Sequence, residues 1–123
     1  MAAMAETLDV MREEDVPGNA AARGAQLRGG LLALAQEFAW IGEVRGMGLM
    51  QALELVKDRT TREPDAGRTS AFMEATKAEG LLLGKAGIHD NVLRFGPSLL
   101  VTEQEVEDAL QRSRRACERV GND

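Results

Sequence analysis

The sequence predicts an α+β fold: a small, mostly antiparallel sheet of three to four strands with helices packed on one face. Apolar residues recur at helical spacing at both ends of the chain, the run 49–56 alternates as a strand does, and two short apolar runs, 81–84 and 92–95, flank a turn-rich segment. A single domain spanning 1–123 holds them all, because a chain of 123 residues suits one core.

The first helix is expected over 2–14, where Met4, Leu8 and Met11 fall on one face. Asp15 to Gly18 breaks it, and Pro17 and Asn19 mark the entry to a second helix over 20–37. Its inner stripe is Leu27, Leu31, Leu34 and Phe38, with Arg23, Gln26 and Arg28 facing solvent. A short strand over 41–44 precedes Arg45-Gly46-Met47-Gly48, whose glycines permit close backbone approach. In the strand 49–56, Leu49, Leu53 and Leu55 oppose Met50, Ala52 and Val56, which predicts a central strand covered on both faces. The charged stretch Lys57 to Arg68 holds Pro64 and Gly67 without apolar period and reads as a surface loop before a helix over 69–79. Strands 81–84 and 92–95 then form a hairpin through Lys85 to Asn91. Thr102 and Glu105 form a capping box that opens a last helix, 102–120, burying Val106, Ala109, Leu110, Cys117 and Val120. That helix is acidic at its start and basic at its end, as the helix dipole favours.

A net charge of −5 and a pI near 5.0 argue against nucleic acid as a partner. The longest apolar runs fall far short of the roughly 20 residues a membrane crossing requires. With one cysteine, Cys117, neither an internal disulfide nor a cysteine-based metal site can be assembled, and a reducing, cytoplasmic setting is expected. No metal is expected.

Catalytic residues are not expected. The single histidine, His89, lies in the 85–91 loop without a nucleophile motif beside it, and Cys117 sits on an apolar helix stripe as a small hydrophobe. Gly84-Lys85-Ala86-Gly87 does not open a helix and lacks P-loop spacing; Arg45-Gly46-Met47-Gly48 runs into a strand, unlike a dinucleotide fingerprint. The carboxylates form a solvated exterior. Arg94 differs, because it interrupts the apolar strand Val92-Leu93-Arg94-Phe95 just before Gly96-Pro97. If Leu93 and Phe95 face the helices, Arg94 faces away, either reaching water or gripping a carboxylate through two parallel hydrogen bonds.

Three segments in this order resemble the C-terminal small domain of class III pyridoxal-phosphate aminotransferases of the ornithine, 4-aminobutyrate and alanine-glyoxylate 2 type. They are Val44-Arg45-Gly46-Met47-Gly48-Leu49-Met50 leading into Glu54-Leu55-Val56-Lys57-Asp58, then Glu79-Gly80-Leu81-Leu82-Leu83-Gly84, then Val92-Leu93-Arg94-Phe95-Gly96-Pro97-Ser98-Leu99. The similarity covers nearly the whole chain; the family often carries alanine at the position of Gly96 and proline at that of Ser98. The resemblance implies the small domain of aminotransferase fold type I, with Arg94 contacting the substrate carboxylate, or pairing with an active-site glutamate when the substrate changes, and Arg45, Gly46, Gly48 and Pro97 as structural motif residues. It implies amino-group transfer between an amino acid and a 2-oxo acid or aldehyde, using pyridoxal phosphate. The lysine that holds this cofactor in the family lies upstream, and none of Lys57, Lys77 and Lys85 matches it. No cofactor is therefore expected on this chain alone, which should be inactive without the missing large domain. Met1-Ala2-Ala3 falls inside a long helix of the family, which suggests a truncated product, an internal start or an excised piece. The alternative is a non-catalytic interaction domain whose far sheet face binds protein. Apolar strands with helices enough for one face predict homo-oligomerisation, as a dimer or an aggregate.

Overall fold

The described residues of this computed structural model are 1–122; residue 123, the last of the expected domain span, lies outside them. Four helices and four strands follow in the order α1 (Ala2–Glu13), α2 (Val16–Glu37), β1 (Ile41–Met47), β2 (Met50–Leu55), α3 (Ala66–Ala78), β3 (Gly84–Ala86), β4 (Val92–Phe95) and α4 (Glu103–Val120). The strands form one antiparallel sheet in the order β1-β2-β4-β3. The alternation of β2 sets its inner face: Leu53 and Leu55 are fully buried and join Leu93, Phe95, Leu27, Leu31, Phe72, Val106 and Cys117 in one core between sheet and helices.

Several boundaries differ from those read in the sequence. α2 begins at Val16, not at residue 20, because Pro17 occupies its first turn, where a missing N–H costs nothing. Asn19 is therefore inside the helix, and its side-chain amide donates to the carbonyls of Leu99 and Val101 at 2.8 and 3.0 Å, tying α2 to the segment before α4. Arg23, Gln26 and Arg28 are half-buried rather than turned to solvent, since Gln26 donates to the Glu103 carbonyl and Arg28 to Gln51. α1 ends at Glu13, one residue short of its expected extent, and buries none of its residues, with Met4 and Leu8 exposed.

β1 runs to Met47 instead of ending at 44, and β2 begins at Met50, so Gly48 and Leu49 form a two-residue hairpin turn. Gly48 takes φ +55° there. The expectation that β2 is covered on both faces fails because Val56, counted on the outer face, lies beyond the strand in a bridge with Pro64. The outer face of β2 instead carries exposed Met50 and half-buried Ala52 and Glu54.

The strand expected at 81–84 is displaced: β3 is Gly84–Ala86, and Leu81 to Leu83 form no strand. Lys85 and Ala86 pair with Leu93 and Val92, so the hairpin turn narrows to Gly87–Asp90. Asn91 is buried and bonds the Leu55 carbonyl at 3.1 Å. α3 starts at Ala66 rather than 69 because Asp65 caps it, accepting from the Arg68 amide at 2.9 Å. In α4 the capping box of Thr102 and Glu105 is present; Val106 and Cys117 are buried and Ala109, Leu110 and Val120 half-buried. Burial pushes the Cys117 thiol up to about 12, so it is an inert core residue at neutral pH.

Glu79 joins α3 to α4. Its carboxylate accepts from Arg115 and Arg119, each at 2.7 Å, while Arg112 donates to its backbone carbonyl at 2.6 Å. Hydrogen bonding to Arg115, reinforced by Arg119, holds the Glu79 carboxyl below its usual 4.5. A lowered folded-state pKa contributes stability that is complete above the unfolded value and lost as pH falls through the folded one. The stability difference between the protein and its Glu79→Gln variant, from urea unfolding, should be full above about pH 5 and shrink as pH falls below 4.5.

Candidate functional site

The face of the sheet turned away from the helices presents one row of residues across all four strands: Arg45 on β1, Ala52 on β2, Arg94 on β4 and Gly84 on β3. Leu93 and Phe95 are buried on the helix side, so alternation turns Arg94 outward, where it is exposed. Small neighbours make room for it. A Cβ on Gly84 would stand 3.6 Å from Arg94 Nη2 and 3.8 Å from its Nε, so the guanidinium lies beside a strand stripped of side chain, with Ala52 on its other side.

Arg94 has no hydrogen-bond or ion-pair partner among the described residues. It lines a pocket of about 550 Å³ together with Arg45, Met50, Ala52, Leu82, Gly84 and Phe95. Met50 and Leu82 are 78% and 82% exposed, which gives the open guanidinium an apolar rim. A planar, permanently charged donor with apolar walls is suited to a carboxylate attached to a hydrocarbon body.

Arg45, in the same pocket, is already engaged. It donates to Glu54 and, at 3.1 Å, to Glu43, and Arg62 donates to Glu43 at 3.2 Å. The Glu54 hydrogen bond, with both glutamate charges, raises the Arg45 pKa, so the cation is fixed. Gly46 lies one position along β1 opposite Gln51, with φ +149°, and a Cβ there would overlap the Met50 carbonyl. Gly48 turns the hairpin against Gly24 of α2, where a Cβ on Gly24 would strike the Gly48 backbone. Pro97 is half-buried just after β4.

The profile of the family described as aminotransferase class-III matches residues 1–117. The chain belongs to the class III aminotransferases. Among curated relatives of this aminotransferase chain, a probable 4-aminobutyrate aminotransferase of Bacillus subtilis (strain 168) is 35% identical over 109 residues, covering 89% of the chain and 25% of the relative. The mitochondrial alanine–glyoxylate aminotransferase 2 homolog 2 of Arabidopsis thaliana is 38% identical over 100 residues, covering 81% and 21%. Among solved structures, an aminotransferase of Bacillus anthracis superposes with TM-score 0.87 at 28% identity, over 93% of this chain and 26% of that one. An amine transaminase from an uncultivated Pseudomonas species, in its pyridoxal-phosphate-bound form, gives TM-score 0.83 at 38% identity, over 93% and 26%. The chain thus spans 25% and 21% of the length of the two curated relatives.

Within this class III aminotransferase chain the lysines do not suit the family cofactor. Lys57 is exposed and paired with Glu63 at 2.9 Å, Lys77 pairs with Glu74 at 3.6 Å, and Lys85 lies on β3 opposite Leu93, on the side away from Arg94. None of the three lines the Arg94 pocket, so the described residues offer no amine there for a pyridoxal aldehyde. His89 is exposed in the Gly87–Asp90 turn, away from that pocket. Two site features escaped sequence reasoning. Glu54 and Glu43 hold Arg45, a register-dependent contact, and Gly84 vacates space for Arg94 in a strand misplaced by three residues.

Proposed function

We propose that this chain is the C-terminal small domain of a class III aminotransferase and that its task is to receive the substrate carboxylate on Arg94. The single observation that carries this reading is a guanidinium without partner among the described residues, on the open sheet face, in an apolar-rimmed pocket. Amino-group transfer between an amino acid and a 2-oxo acid or aldehyde belongs to the complete enzyme, with pyridoxal phosphate supplied by the large domain. By itself the chain is inactive and binds no cofactor. The expected location is cytoplasmic, on the basis of one buried, unpaired Cys117. Homodimerisation through the exposed apolar rim of the sheet is part of the same proposal.

The test is a titration of the 123-residue chain with propionate at constant ionic strength, following the Arg94 Nε–Hε resonance. A saturable shift, absent with propionamide, supports the reading; no shift, or an equal shift with propionamide, contradicts it. The exposed Met47, Met50 and Leu82 also favour a second reading, a non-catalytic protein-binding face. That reading predicts an Arg94 signal indifferent to carboxylates.

A further inference from the structure

We propose that Glu43 and Glu54 are specificity-determining residues: by occupying Arg45 they confine this face to a single carboxylate, and their removal opens a second carboxylate site for dicarboxylates. The inference rests on the reading of Arg94 as a carboxylate receptor. Arg45 and Arg94 share one row and one pocket, with Ala52 between them, so their Cα atoms are two strand spacings, about 10 Å, apart. Two long arginine side chains converging over an alanine could hold the two ends of a short diacid. In this structure only one is available.

Arg45 donates to both Glu54 and Glu43, and Glu43 also accepts from Arg62. Two arginines and two glutamates neutralise one another, which leaves Arg94 as the uncompensated charge of the row. A tethered carboxylate competes at an effective concentration on the order of mM or higher, so dissolved substrate does not displace it readily. Glu54 is the stronger holder, with its side chain 21% exposed against 40% for Glu43. A second substrate carboxylate on the β1 side would meet Glu54 and be repelled. The substrate class is therefore a monocarboxylate whose body extends over Met50 and Leu82.

The test uses the whole 123-residue chain, with propionate and glutarate as probes at constant ionic strength, reading the Nε–Hε resonances of Arg45 and Arg94. In the unaltered chain propionate should move Arg94, glutarate should do so more weakly because its second carboxylate meets Glu54, and Arg45 should stay still. In Glu43→Gln/Glu54→Gln glutarate should bind roughly 10-fold more tightly than propionate, with both arginines moving together. Glu54→Gln alone should show a smaller gain, which serves if the double variant folds poorly, and adding Arg45→Gln should abolish it. An Arg45 response to glutarate in the unaltered chain, or no glutarate gain in either variant, overturns the inference while leaving Arg94 as receptor. Silence of Arg94 toward both probes overturns the inference and the receptor reading together.

Discussion

Gly46→Ala is expected to destabilise the chain by at least about 3 kcal/mol, enough to leave a marginal domain largely unfolded at 37 °C. Gly46 has φ +149°, a conformation nearly closed to residues with a side chain, and a Cβ there would overlap the Met50 carbonyl across the hairpin. The overlapped atoms are backbone of β2, across the hairpin from Gly46, so relief would require opening the β1–β2 ladder. Gly48→Ala supplies the contrast. Its φ of +55° lies in the left-handed region, and the nearest atom to an added Cβ is the Ala20 carbonyl oxygen at 3.8 Å, so the cost should be only about 1 kcal/mol. Urea unfolding of the two variants measures both. Equal costs would refute this account of the motif.

Arg94→Gln is expected to have the opposite profile: carboxylate affinity falls roughly 10- to 100-fold while unfolding free energy changes by less than about 0.5 kcal/mol. The affinity figure follows from losing a charge-assisted, two-pronged contact worth about 1.5–3 kcal/mol. The stability figure follows from exposure and the absence of a partner among the described residues. A structural arginine behaves otherwise. Arg59 donates to the carbonyls of Ala35, Phe38 and Ile41, closing the C-terminal end of α2, and its replacement would cost stability. If Arg94→Gln lowers stability as a replacement of Arg59 would, Arg94 is a strut and not a receptor.

The features that sequence revealed are those governed by short-range rules. The Leu27, Leu31 and Leu34 stripe, the Thr102–Glu105 capping box and the outward turn of Arg94 all follow from periods or spacings of a few residues. The features that were missed depend on register and distant contacts. β3 lies at Gly84–Ala86 because Gly84 pairs with Arg94, and no property of Leu81-Leu82-Leu83 announces that these apolar residues stand outside the ladder. Trp40 went unnoticed between α2 and β1, yet it is buried against Phe38 and Phe72, at ring distances of 5.7 and 5.4 Å, and donates to the Gly121 carbonyl. Gln51 interrupts the apolar face of β2 and is buried because Gly48 and Arg28 satisfy its amide. In the site, the outward placement of one arginine of the row was legible because it breaks an apolar strand; the neutralisation of the other by Glu43 and Glu54 required the fold.

Phenylglyoxal labelling of the folded chain, read by peptide mass, addresses most directly whether the Arg94 guanidinium is open and shaped for a carboxylate. Arg94 should react far faster than Arg45, and propionate but not propionamide should protect it, while exposed Arg12 on α1 reacts at the same rate throughout. Slow labelling of Arg94, or labelling that propionate leaves unchanged, would contradict a receptor on this face of the sheet.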